Sequence, residues 1–396
     1  MSRLAPLVEP AAALTTAEVQ RYSRHLLIPE IGVIGQRRLK NARVLVVGAG
    51  GLGSPALLYL AAAGIGTIGI VDDDIVELSN LQRQVIHGVQ DIGRSKLASA
   101  QDAVVELNPL VSVRLHESRL YSRNARDIFA GYDLILDGSD NFTTRYLVND
   151  AAAILGKPSV WGSIYRFDGQ TSVFWERHGP TYRDLYPEAP STEHRAPSTG
   201  SVSSCAEGGV FGMLCAAIGS VMVTEAVKLI TGVGKPLLGR VLLFNALTST
   251  WREINVSKDP ARKPFTELAD YELFCGMVLQ HDPSADKAVT VHQLSTMLAD
   301  RSAGLCDFDL IDVREPGEYE IVSIPGSRLI PQDRIFSGIA PTELHQDRDI
   351  ILHCKSGMRS AAVLAELAAQ GYTRVEYLQG GVLAWVKEME PTKPAY

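Results

Sequence analysis

The chain has 396 residues, of which 46% are apolar and 21% are charged, and this is the composition of a globular protein. Its 38 Lys and Arg residues against 45 Asp and Glu residues give a formal net charge of −7, whereas nucleic-acid-binding proteins carry a basic excess. Length and composition therefore exclude disordered, collagen-like and coiled-coil architectures for the whole chain and predict about two domains.

Cysteine usage and the apolar stretches predict where the protein works. The five cysteines form no CxxC pair, which fits a reducing cytoplasm better than a disulfide framework. The first twenty residues carry Glu9 and Glu18 and do not form a secretory signal. The longest nearly apolar stretch, 210–223, is shorter than the ~18 residues that a membrane-spanning helix needs. We therefore expect a soluble cytoplasmic protein, with neither a membrane nor nucleic acid as its partner.

Apolar, β-branched runs alternate with longer segments of helical period from residue 43 to residue 163. The runs that predict strands are 43–47, 67–71, 111–115, 133–137 and 158–163. The segments that predict crossover helices are 52–63, 92–107 and 141–155. Because such crossovers join parallel strands and cover both faces of the sheet, the first domain is predicted to be α/β.

The patterning changes in the middle of the chain. Strands are predicted over 171–175 and 241–244. Between them in the chain, the sequence predicts a mobile surface loop over 179–201 and a long helix over 208–230. Prolines then mark 257–285 as a linker, although its aromatic residues suggest that part of it packs onto a domain.

A second, smaller α/β pattern follows the linker. Its predicted strands lie near Leu310 and Ile350, and its predicted helices cover 358–370 and 380–388. The sequence thus predicts one α/β domain over residues 1–256 and a smaller α/β domain over residues 286–396.

Residues 44–54 form a strand, a GxGxxG loop and a helix start. The glycines of the loop are Gly48, Gly50, Gly51 and Gly53. They let the backbone approach a phosphate, and the helix N-terminus supplies N–H donors. Asp72 closes the next predicted strand, where its carboxylate can accept hydrogen bonds from ribose hydroxyls. A dehydrogenase that binds NAD has both features, so the loop predicts a nucleotide site without specifying the nucleotide.

Three charged residues favour a triphosphate over a dinucleotide. Arg83 and Lys96 suit a reaction that builds negative charge on triphosphate oxygens, and hydride transfer gives no comparable reason for them. Asp140 follows a strand, at the edge where α/β sheets bind ligands. Its carboxylate could hold Mg²⁺, with phosphates and waters completing the octahedron.

Residues 15–255 resemble the MoeB/ThiF family of adenylyltransferases, which activate ubiquitin-like sulfur-carrier proteins and share ancestry with ubiquitin-activating enzymes. The motifs that carry the resemblance are Arg21-Tyr-Ser-Arg24-His, the glycine loop, Ser79-Asn-Leu-Gln-Arg-Gln, Lys96, Ser139-Asp-Asn and Ser204-Cys205-Ala-Glu-Gly-Gly. The resemblance implies a Rossmann-like fold, the cofactors ATP and Mg²⁺, a homodimer, and a small carrier with a C-terminal Gly-Gly as partner.

The resemblance also implies site residues, since positions of this sequence match positions of the family's motifs. Those expected to contact ATP are Gly48, Gly50, Gly51, Gly53, Asp72, Ser79, Asn80, Leu81, Gln82, Arg83, Lys96, Asp140 and Asn141. Asp140 is expected to hold Mg²⁺, and Arg24 to reach the nucleotide of the partner subunit.

Cys205 precedes the long predicted helix, whose N-terminus would favour a thiolate. The resemblance links Cys205 to covalent handling of the activated carrier, through a thioester or a mixed disulfide, whereas a small residue that packs a helix start is the structural alternative. Cys215, Cys275 and Cys306 are interpreted as structural.

One departure from the family concerns zinc. Many relatives bind a structural zinc through two CxxC pairs, the first in a Gly-Pro-Cys-x-x-Cys segment. Here Thr181 and Asp184 stand at those two positions, and no second pair occurs before the linker. Because the thiolate ligands are missing, we expect no zinc and stabilisation by packing.

Cys354 ends a predicted strand and begins a tight loop that leads into a helix. A ring of backbone N–H groups, with Lys355 and Arg359 nearby, would stabilise an anionic sulfur. Cysteine-dependent phosphatases place an arginine six residues after the cysteine, whereas Arg359 follows by five, and the shorter ring favours sulfur chemistry.

Together with Asp312-Val-Arg-Glu-Pro-Gly-Glu-Tyr and Leu378-Gln-Gly-Gly, this loop makes residues 286–392 resemble a rhodanese domain. The resemblance implies that Cys354 carries a persulfide, loaded from thiosulfate or by a cysteine desulfurase. The two domains then form one pathway, in which the carrier is adenylated and receives sulfur as a thiocarboxylate, for molybdenum cofactor or a related metabolite.

Three other function classes stay open at this point. An NAD-dependent oxidoreductase fused to a sulfur domain predicts nicotinamide binding. A thioester-transfer enzyme predicts a thioester on Cys205 and indifference to Cys354, and a scaffold predicts carrier binding without pyrophosphate release. The sequence does not distinguish molybdopterin, thiamine, cysteine and tRNA-thiolation routes.

Overall fold

The computed structural model describes residues 4–187, 209–269, 271, 287–339 and 343–396. The described residues up to 271 form one compact unit, and those from 287 onward form a second. Each unit contains its own sheet and its own core.

The first unit is built on a sheet of eight strands in the order β3-β2-β1-β4-β5-β6-β7-β8. Pairing is parallel from β3 to β5 and antiparallel from β5 to β8. The strands are β1 Arg43–Val47, β2 Thr67–Val71, β3 Ser112–His116, β4 Leu134–Asp137, β5 Ser159–Tyr165, β6 Asp168–Phe174, β7 Arg240–Asn245 and β8 Thr250–Asn255. All the predicted strands of this unit are present, and β8 was not predicted because each of its residues is exposed.

Helices cover both faces of this sheet, as the α/β prediction requires. They are α1 Thr16–Arg21, α2 Ser23–Leu26, α3 Gly32–Asn41, α4 Gly53–Ala63, α5 Lys96–Leu107, α6 Ala125–Ala130, α7 Phe142–Ile154, α8 Tyr182–Leu185 and α9 Gly212–Thr231. Helix α5 begins at Lys96, later than the predicted residue 92, and a separate 3₁₀ turn forms over Val89–Asp91. A second 3₁₀ turn, Leu78–Asn80, lies between β2 and α5.

Helix α9 is the long apolar helix of the first unit and packs on α4, β5 and β6. It has 20 residues and a mean hydropathy of 1.8, and it is therefore long and apolar enough to cross a membrane. The prediction that the longest apolar stretch is too short for a membrane-spanning helix was wrong. However, 56% of that window is buried inside the protein, which is typical of a core helix.

The prediction of a mobile surface loop over 179–201 was wrong for the first residues of that range. Thr181 precedes α8, and Tyr182 is 1% exposed and meets the ring of Trp161 edge-on. The prediction failed because this segment packs through aromatic side chains, whereas its sequence has no apolar period. The remainder of that loop, from 188 onward, lies outside the described residues.

The second unit is an α/β unit with a parallel sheet of five strands in the order β11-β10-β12-β13-β9. Its strands are β9 Ala288–Val289, β10 Asp309–Asp312, β11 Arg328–Leu329, β12 Ile350–His353 and β13 Val375–Leu378. Its helices are α10 Val291–Ser302, α11 Pro316–Ile321, α12 Gln332–Arg334, α13 Met358–Ala369 and α14 Gly381–Met389, with a π turn at Ile335–Ile339. The strands predicted near Leu310 and Ile350 and both predicted helices are confirmed.

Candidate active sites

The glycine loop joins β1 to α4 and turns sharply at Gly48, whose φ is +90°. The Gly48 N–H donates to the Val71 carbonyl at 2.8 Å. A Cβ on Gly53 would lie 1.9 Å from the Gly48 carbonyl oxygen, so the helix can begin there only with glycine. The loop thus presents the N-terminus of α4 to the space beyond β1, which is suited to a phosphate.

A cavity of about 390 Å³ lies beyond the carboxyl ends of β1, β2 and β4. The predicted site residues that line it are Gly48, Gly50, Gly51, Asp72, Arg83, Lys96, Asp140 and Asn141. The predicted site residues outside the lining are Arg24, Gly53, Ser79, Asn80, Leu81 and Gln82. The fold therefore brings the two predicted cations and Asp140 into one cavity with the glycine loop.

The Asp72 carboxylate holds the backbone around this cavity. Its Oδ2 accepts from the Ala49 N–H at 2.7 Å, and its Oδ1 accepts from the Asp74 N–H at 2.8 Å. Burial raises the pKa of Asp72, whereas these two backbone hydrogen bonds oppose the shift. Each carboxylate oxygen keeps a lone pair for a further donor, so the predicted ribose contact stays open.

The two cations reach the cavity from different elements. Lys96, the first residue of α5, is 6% exposed, and its Nζ lies 2.8 Å from an Asp74 carboxylate oxygen. Arg83 follows the 3₁₀ turn and donates to the Ser79 carbonyl at 3.0 Å. Asn80 closes that turn by accepting from the Glu77 N–H at 3.2 Å. Ser79 and Asn80 therefore shape the turn that positions Arg83.

Asp140 and Asn141 stand between β4 and α7. The Asn141 side chain accepts from the Thr144 N–H at 2.8 Å and caps α7. Asp140 is exposed, and within the described residues its carboxylate makes no hydrogen bond or ion pair. Below it, the buried Asp137 carboxylate accepts from the Ser139 N–H and hydroxyl at 3.0 and 2.6 Å. Burial raises the pKa of Asp137, and Ser139 opposes the shift.

The second unit forms a sulfur-binding loop around Cys354, which follows β12 and is 1% exposed. The Gly357 N–H donates to the Cys354 sulfur at 3.1 Å, and the Ser360 hydroxyl lies 3.5 Å from it. Gly357 has a φ of +105° and is the N-cap of α13. Backbone N–H groups at a helix N-terminus stabilise an anionic sulfur, as the sequence predicts.

The glycines of the Leu378-Gln-Gly-Gly motif fix this loop from outside. A Cβ on Gly381 would lie 2.5 Å from the Cys354 carbonyl oxygen. The Val382 N–H donates to that same carbonyl at 2.8 Å, and the Leu383 N–H donates to Lys355 at 3.1 Å. The start of α14 therefore holds the backbone of the cysteine and of the residue that follows it.

Arg359 forms a buried ion pair that the sequence did not predict. Its two terminal nitrogens each donate to a Glu318 carboxylate oxygen at 2.7 Å. Burial disfavours ionised Glu318, but hydrogen bonds from Arg359 and from the Glu315 N–H lower its pKa overall. The Tyr396 hydroxyl also donates to Glu318 at 3.0 Å, and Lys355 lies 4.7 Å from the centre of the Tyr396 ring.

This pair gives a stability prediction for the second unit. Glu318→Ala should leave Arg359 without its counter-charge and lower the free energy of unfolding by about 3–5 kcal/mol. Urea titration of the full chain, scored by loss of sulfur transfer to cyanide at each urea concentration, measures the effect. Glu320→Ala removes an exposed carboxylate of the same helix and should leave the midpoint unchanged; equal midpoints for both variants would contradict the prediction.

Comparison with known proteins supplies the family. Residues 22–264, more than half of the chain, match the ThiF family. The chain belongs to the ThiF family. This ThiF-family chain also matches the rhodanese-like domain over residues 290–388, which contain the Cys354 loop.

The ThiF-family relatives include full-length matches. The chain is 58% identical to a probable adenylyltransferase/sulfurtransferase MoeZ of Mycobacterium tuberculosis, with 99% of both chains covered. It is 39% identical to the adenylyltransferase and sulfurtransferase MOCS3 of Drosophila yakuba, covering 97% of this chain and 86% of the relative. A sulfur carrier protein adenylyltransferase of Thermus thermophilus is 50% identical, covering 66% of this chain and 98% of its own.

Solved structures confirm the fold of the ThiF-family unit. A crystal structure of Escherichia coli MccB with MccA-N7isoASN has a TM-score of 0.54 and 20% identity, covering 66% of this chain and 75% of that one. A crystal structure of PaaA has a TM-score of 0.52 and 22% identity, covering 63% and 76%. At these identities the likeness shows the fold alone.

All the predicted catalytic roles stay predictions, and for two of the residues the structure supplies no site geometry. Cys205 lies outside the described residues, as does Cys275. Arg24 is exposed on α2 and does not line the cavity of its own subunit, so its predicted reach into a partner subunit stays a prediction.

Two charged residues near the sites were not predicted: Arg145, four residues after the Ser139-Asp-Asn motif, and Glu318, inside the motif that begins at Asp312. Arg145 lines the cavity and lies 3.3 Å from the Ser139 carbonyl, and Glu318 holds Arg359. A charged residue in or beside a motif that had already been assigned to a site could have identified both.

Proposed function

We propose that this protein adenylates the C-terminal glycine of a small ubiquitin-like sulfur carrier and then transfers sulfur to it from Cys354. The supporting observation is that one chain holds both a cavity lined by the glycine loop, Arg83 and Lys96, and a buried cysteine whose sulfur accepts from the Gly357 N–H beside a helix N-terminus. Neither a dinucleotide oxidoreductase nor a carrier scaffold uses both sites.

In the first step the carrier carboxylate attacks the α-phosphorus of ATP, and the bond to the β-phosphate breaks. Pyrophosphate leaves with the electron pair, and the carrier becomes an acyl-adenylate. Arg83 and Lys96 stabilise the charge that develops on the phosphate oxygens, and the glycine loop binds the ground-state phosphates.

Asp140 is the carboxylate that we assign to Mg²⁺. Asp72 and Asp74 line the same cavity, but Asp72 accepts from two backbone N–H groups and Asp74 from Lys96. The Asp140 carboxylate faces solvent and leaves room for the waters and phosphates that Mg²⁺ requires, so the donor set fits. The ion would neutralise charge on the departing pyrophosphate.

In the second step the persulfide on Cys354, loaded by thiosulfate or by a cysteine desulfurase, attacks the acyl carbon. The carbon–oxygen bond to AMP breaks, and an acyl disulfide on Cys354 results. The Cys205 thiolate then attacks the Cys354 sulfur, which expels the carrier thiocarboxylate and leaves a Cys205–Cys354 disulfide. A cellular dithiol returns both cysteines to thiols. This chemistry requires a reducing compartment, and we therefore place the protein in the cytoplasm.

ATP–pyrophosphate exchange tests the adenylation step. Labelled pyrophosphate should enter ATP only when a carrier ending in Gly-Gly is present, since the reversal needs the acyl-adenylate. A carrier lacking its last glycine is the control. Exchange with both carriers, or with neither, would contradict the proposal.

We propose that the protein is a homodimer in which Arg24 reaches the partner subunit's nucleotide. Arg24 is exposed and outside its own cavity, which fits that arrangement. When an Arg24→Ala chain is mixed with an Asp140→Ala chain, each heterodimer should contain one intact site. Because about half of the dimers are heterodimers, the average is about half of one site per dimer, whereas a monomer would show no restoration.

We further propose that ion pairs replace zinc beside α8. The Asp184 carboxylate accepts from Arg262 Nε at 3.2 Å and from the Asp259 N–H at 2.9 Å. Arg262 also donates to Glu176 at 2.7 Å, and Lys258 pairs with the same Glu176. Segment 257–262 is therefore tied to α8 by charge where relatives use thiolates.

Arg262→Ala should lower the free energy of unfolding of the first unit by about 3–5 kcal/mol, because the side chain of Asp184 is fully buried. Lys258→Ala removes a 40% exposed partner and should cost under about 1 kcal/mol. Urea unfolding followed by tryptophan fluorescence measures both. A metal chelator should not move the wild-type midpoint, and a midpoint that falls with chelator would contradict the absence of zinc.

A further inference from the structure

His87 is a buried histidine in the segment that carries Arg83, and it does not line the cavity. Both nitrogens of its ring are engaged. Nε2 lies 3.1 Å from the Ala49 carbonyl oxygen of the glycine loop, and Nδ1 lies 2.8 Å from the Ser99 hydroxyl of α5. One imidazole thus joins the glycine loop to the helix that carries a catalytic lysine.

The three elements that His87 connects each supply a cavity residue. Ala49 precedes Gly50 and Gly51, His87 stands four residues after Arg83, and Ser99 stands one helical turn after Lys96. The mutual positions of the phosphate-binding amides and the two cations therefore depend on this ring.

The hydrogen-bond partners also determine the tautomer. A carbonyl oxygen only accepts, so Nε2 must carry the hydrogen that it donates to Ala49. Nδ1 is then the acceptor, and the Ser99 hydroxyl donates to it. Burial lowers the pKa of His87, with Lys96 acting in the same direction, which keeps the ring neutral.

The Ala49 residue is consequently held at both of its backbone groups. Its N–H donates to Asp72 Oδ2 at 2.7 Å, and its carbonyl accepts from His87. The peptide that links Ala49 to Gly50 is fixed in orientation, and with it the N–H of Gly50, a residue of the cavity lining. Loss of the His87 contact would free one side of this peptide.

We propose that His87 is a positioning residue for adenylation, which holds the glycine loop in register with Lys96 and Arg83. The inference rests on the proposed adenylation activity and adds a residue that contacts neither ATP nor the carrier. Register matters most in the transition state, where charge moves onto the oxygens that the cations face. A displacement of about 1 Å at such a site can reduce the rate about a hundredfold.

Variants of His87 separate positioning from mere packing. His87→Leu removes both hydrogen bonds, and we expect kcat for ATP–pyrophosphate exchange to fall about 10- to 100-fold while KM for ATP changes less than about threefold. His87→Gln keeps an N–H for Ala49 and should retain kcat within about threefold. Ser99→Ala removes only the second contact and should give an intermediate loss.

The control is His116→Leu, which alters a half-buried histidine of the same unit, whose Nε2 lies 2.7 Å from the Tyr132 hydroxyl. It should leave kcat unchanged. Urea unfolding followed by tryptophan fluorescence, as for Arg262→Ala, reports whether the first unit of each variant is folded. Equal losses for His87→Gln and His87→Leu, or wild-type kcat for folded His87→Leu, would overturn the proposal.

Nitrogen-15 NMR of the full chain labelled at histidine tests the contacts without using activity. The resonance that disappears in His87→Gln should show the hydrogen on Nε2, and Ser99→Ala should shift its Nδ1 signal. A hydrogen on Nδ1 would overturn the inference even in an active enzyme. A wild-type chain without exchange, but with the expected tautomer, would instead reject the adenylation proposal.

Discussion

Cys354→Ala should abolish thiocarboxylate formation and leave carrier adenylation intact. In the proposed function Cys354 carries the transferred sulfur, and alanine cannot form a persulfide, so we expect at least a ~10³-fold loss. The adenylation cavity is lined entirely by residues of the first unit, which gives no reason for its rate to change. Mass spectrometry of the carrier and pyrophosphate exchange measure the two steps separately.

The control for this variant is Cys306→Ala, which removes an exposed thiol of the same unit. Cys306 should be dispensable for both steps. Loss of adenylation together with sulfur transfer in Cys354→Ala would contradict the division of labour between the two units, and retained thiocarboxylate formation would assign the sulfur to another cysteine.

Asp140→Ala should lower the rate of pyrophosphate exchange about 10²- to 10³-fold, because it removes the carboxylate assigned to Mg²⁺ and with it the stabilisation of the leaving group. Asp140→Asn keeps the size but loses the charge and should be nearly as slow. Excess Mg²⁺ should partly restore exchange if the loss lies in ion binding.

Asp73→Ala is the matched control, since Asp73 is another exposed carboxylate in the lining of the same cavity. It should change exchange by less than about threefold. If Asp73→Ala were the slower variant, the metal would belong to the acidic run 72–74, and exchange that survives in Asp140→Ala would reject the assignment of Asp140.

The sequence predicted most reliably those elements that bury apolar β-branched residues. The predicted bounds of β1 and β2 agree with the structure because both strands are buried from end to end after their first residue. Strand β8 is exposed throughout and left no such signal. Helix α8 was missed because its stability comes from aromatic contacts of Tyr182 with residues distant in sequence.

The candidate sites followed the same logic. The glycine loop and Asp72 could be predicted because each stands at the end of a strand. Arg83 and Lys96 could be predicted as cations suited to a triphosphate, and both belong to the motifs that carry the family resemblance. The Arg359–Glu318 pair joins residues 41 positions apart, and His87 acts through Ala49 and Ser99, so both depend on the fold rather than on local spacing. The sequence alone therefore does not predict the long-range contacts that hold a site together.

The most direct test of the account is intact-mass spectrometry of a carrier ending in Gly-Gly after incubation with the full chain, Mg-ATP and thiosulfate. We predict an adenylate intermediate and a thiocarboxylate product, with Cys354→Ala stopping at the adenylate and Asp140→Ala forming neither. Thiocarboxylate that persists in Cys354→Ala, or a carrier left unmodified by the wild-type chain with either sulfur donor, would contradict it.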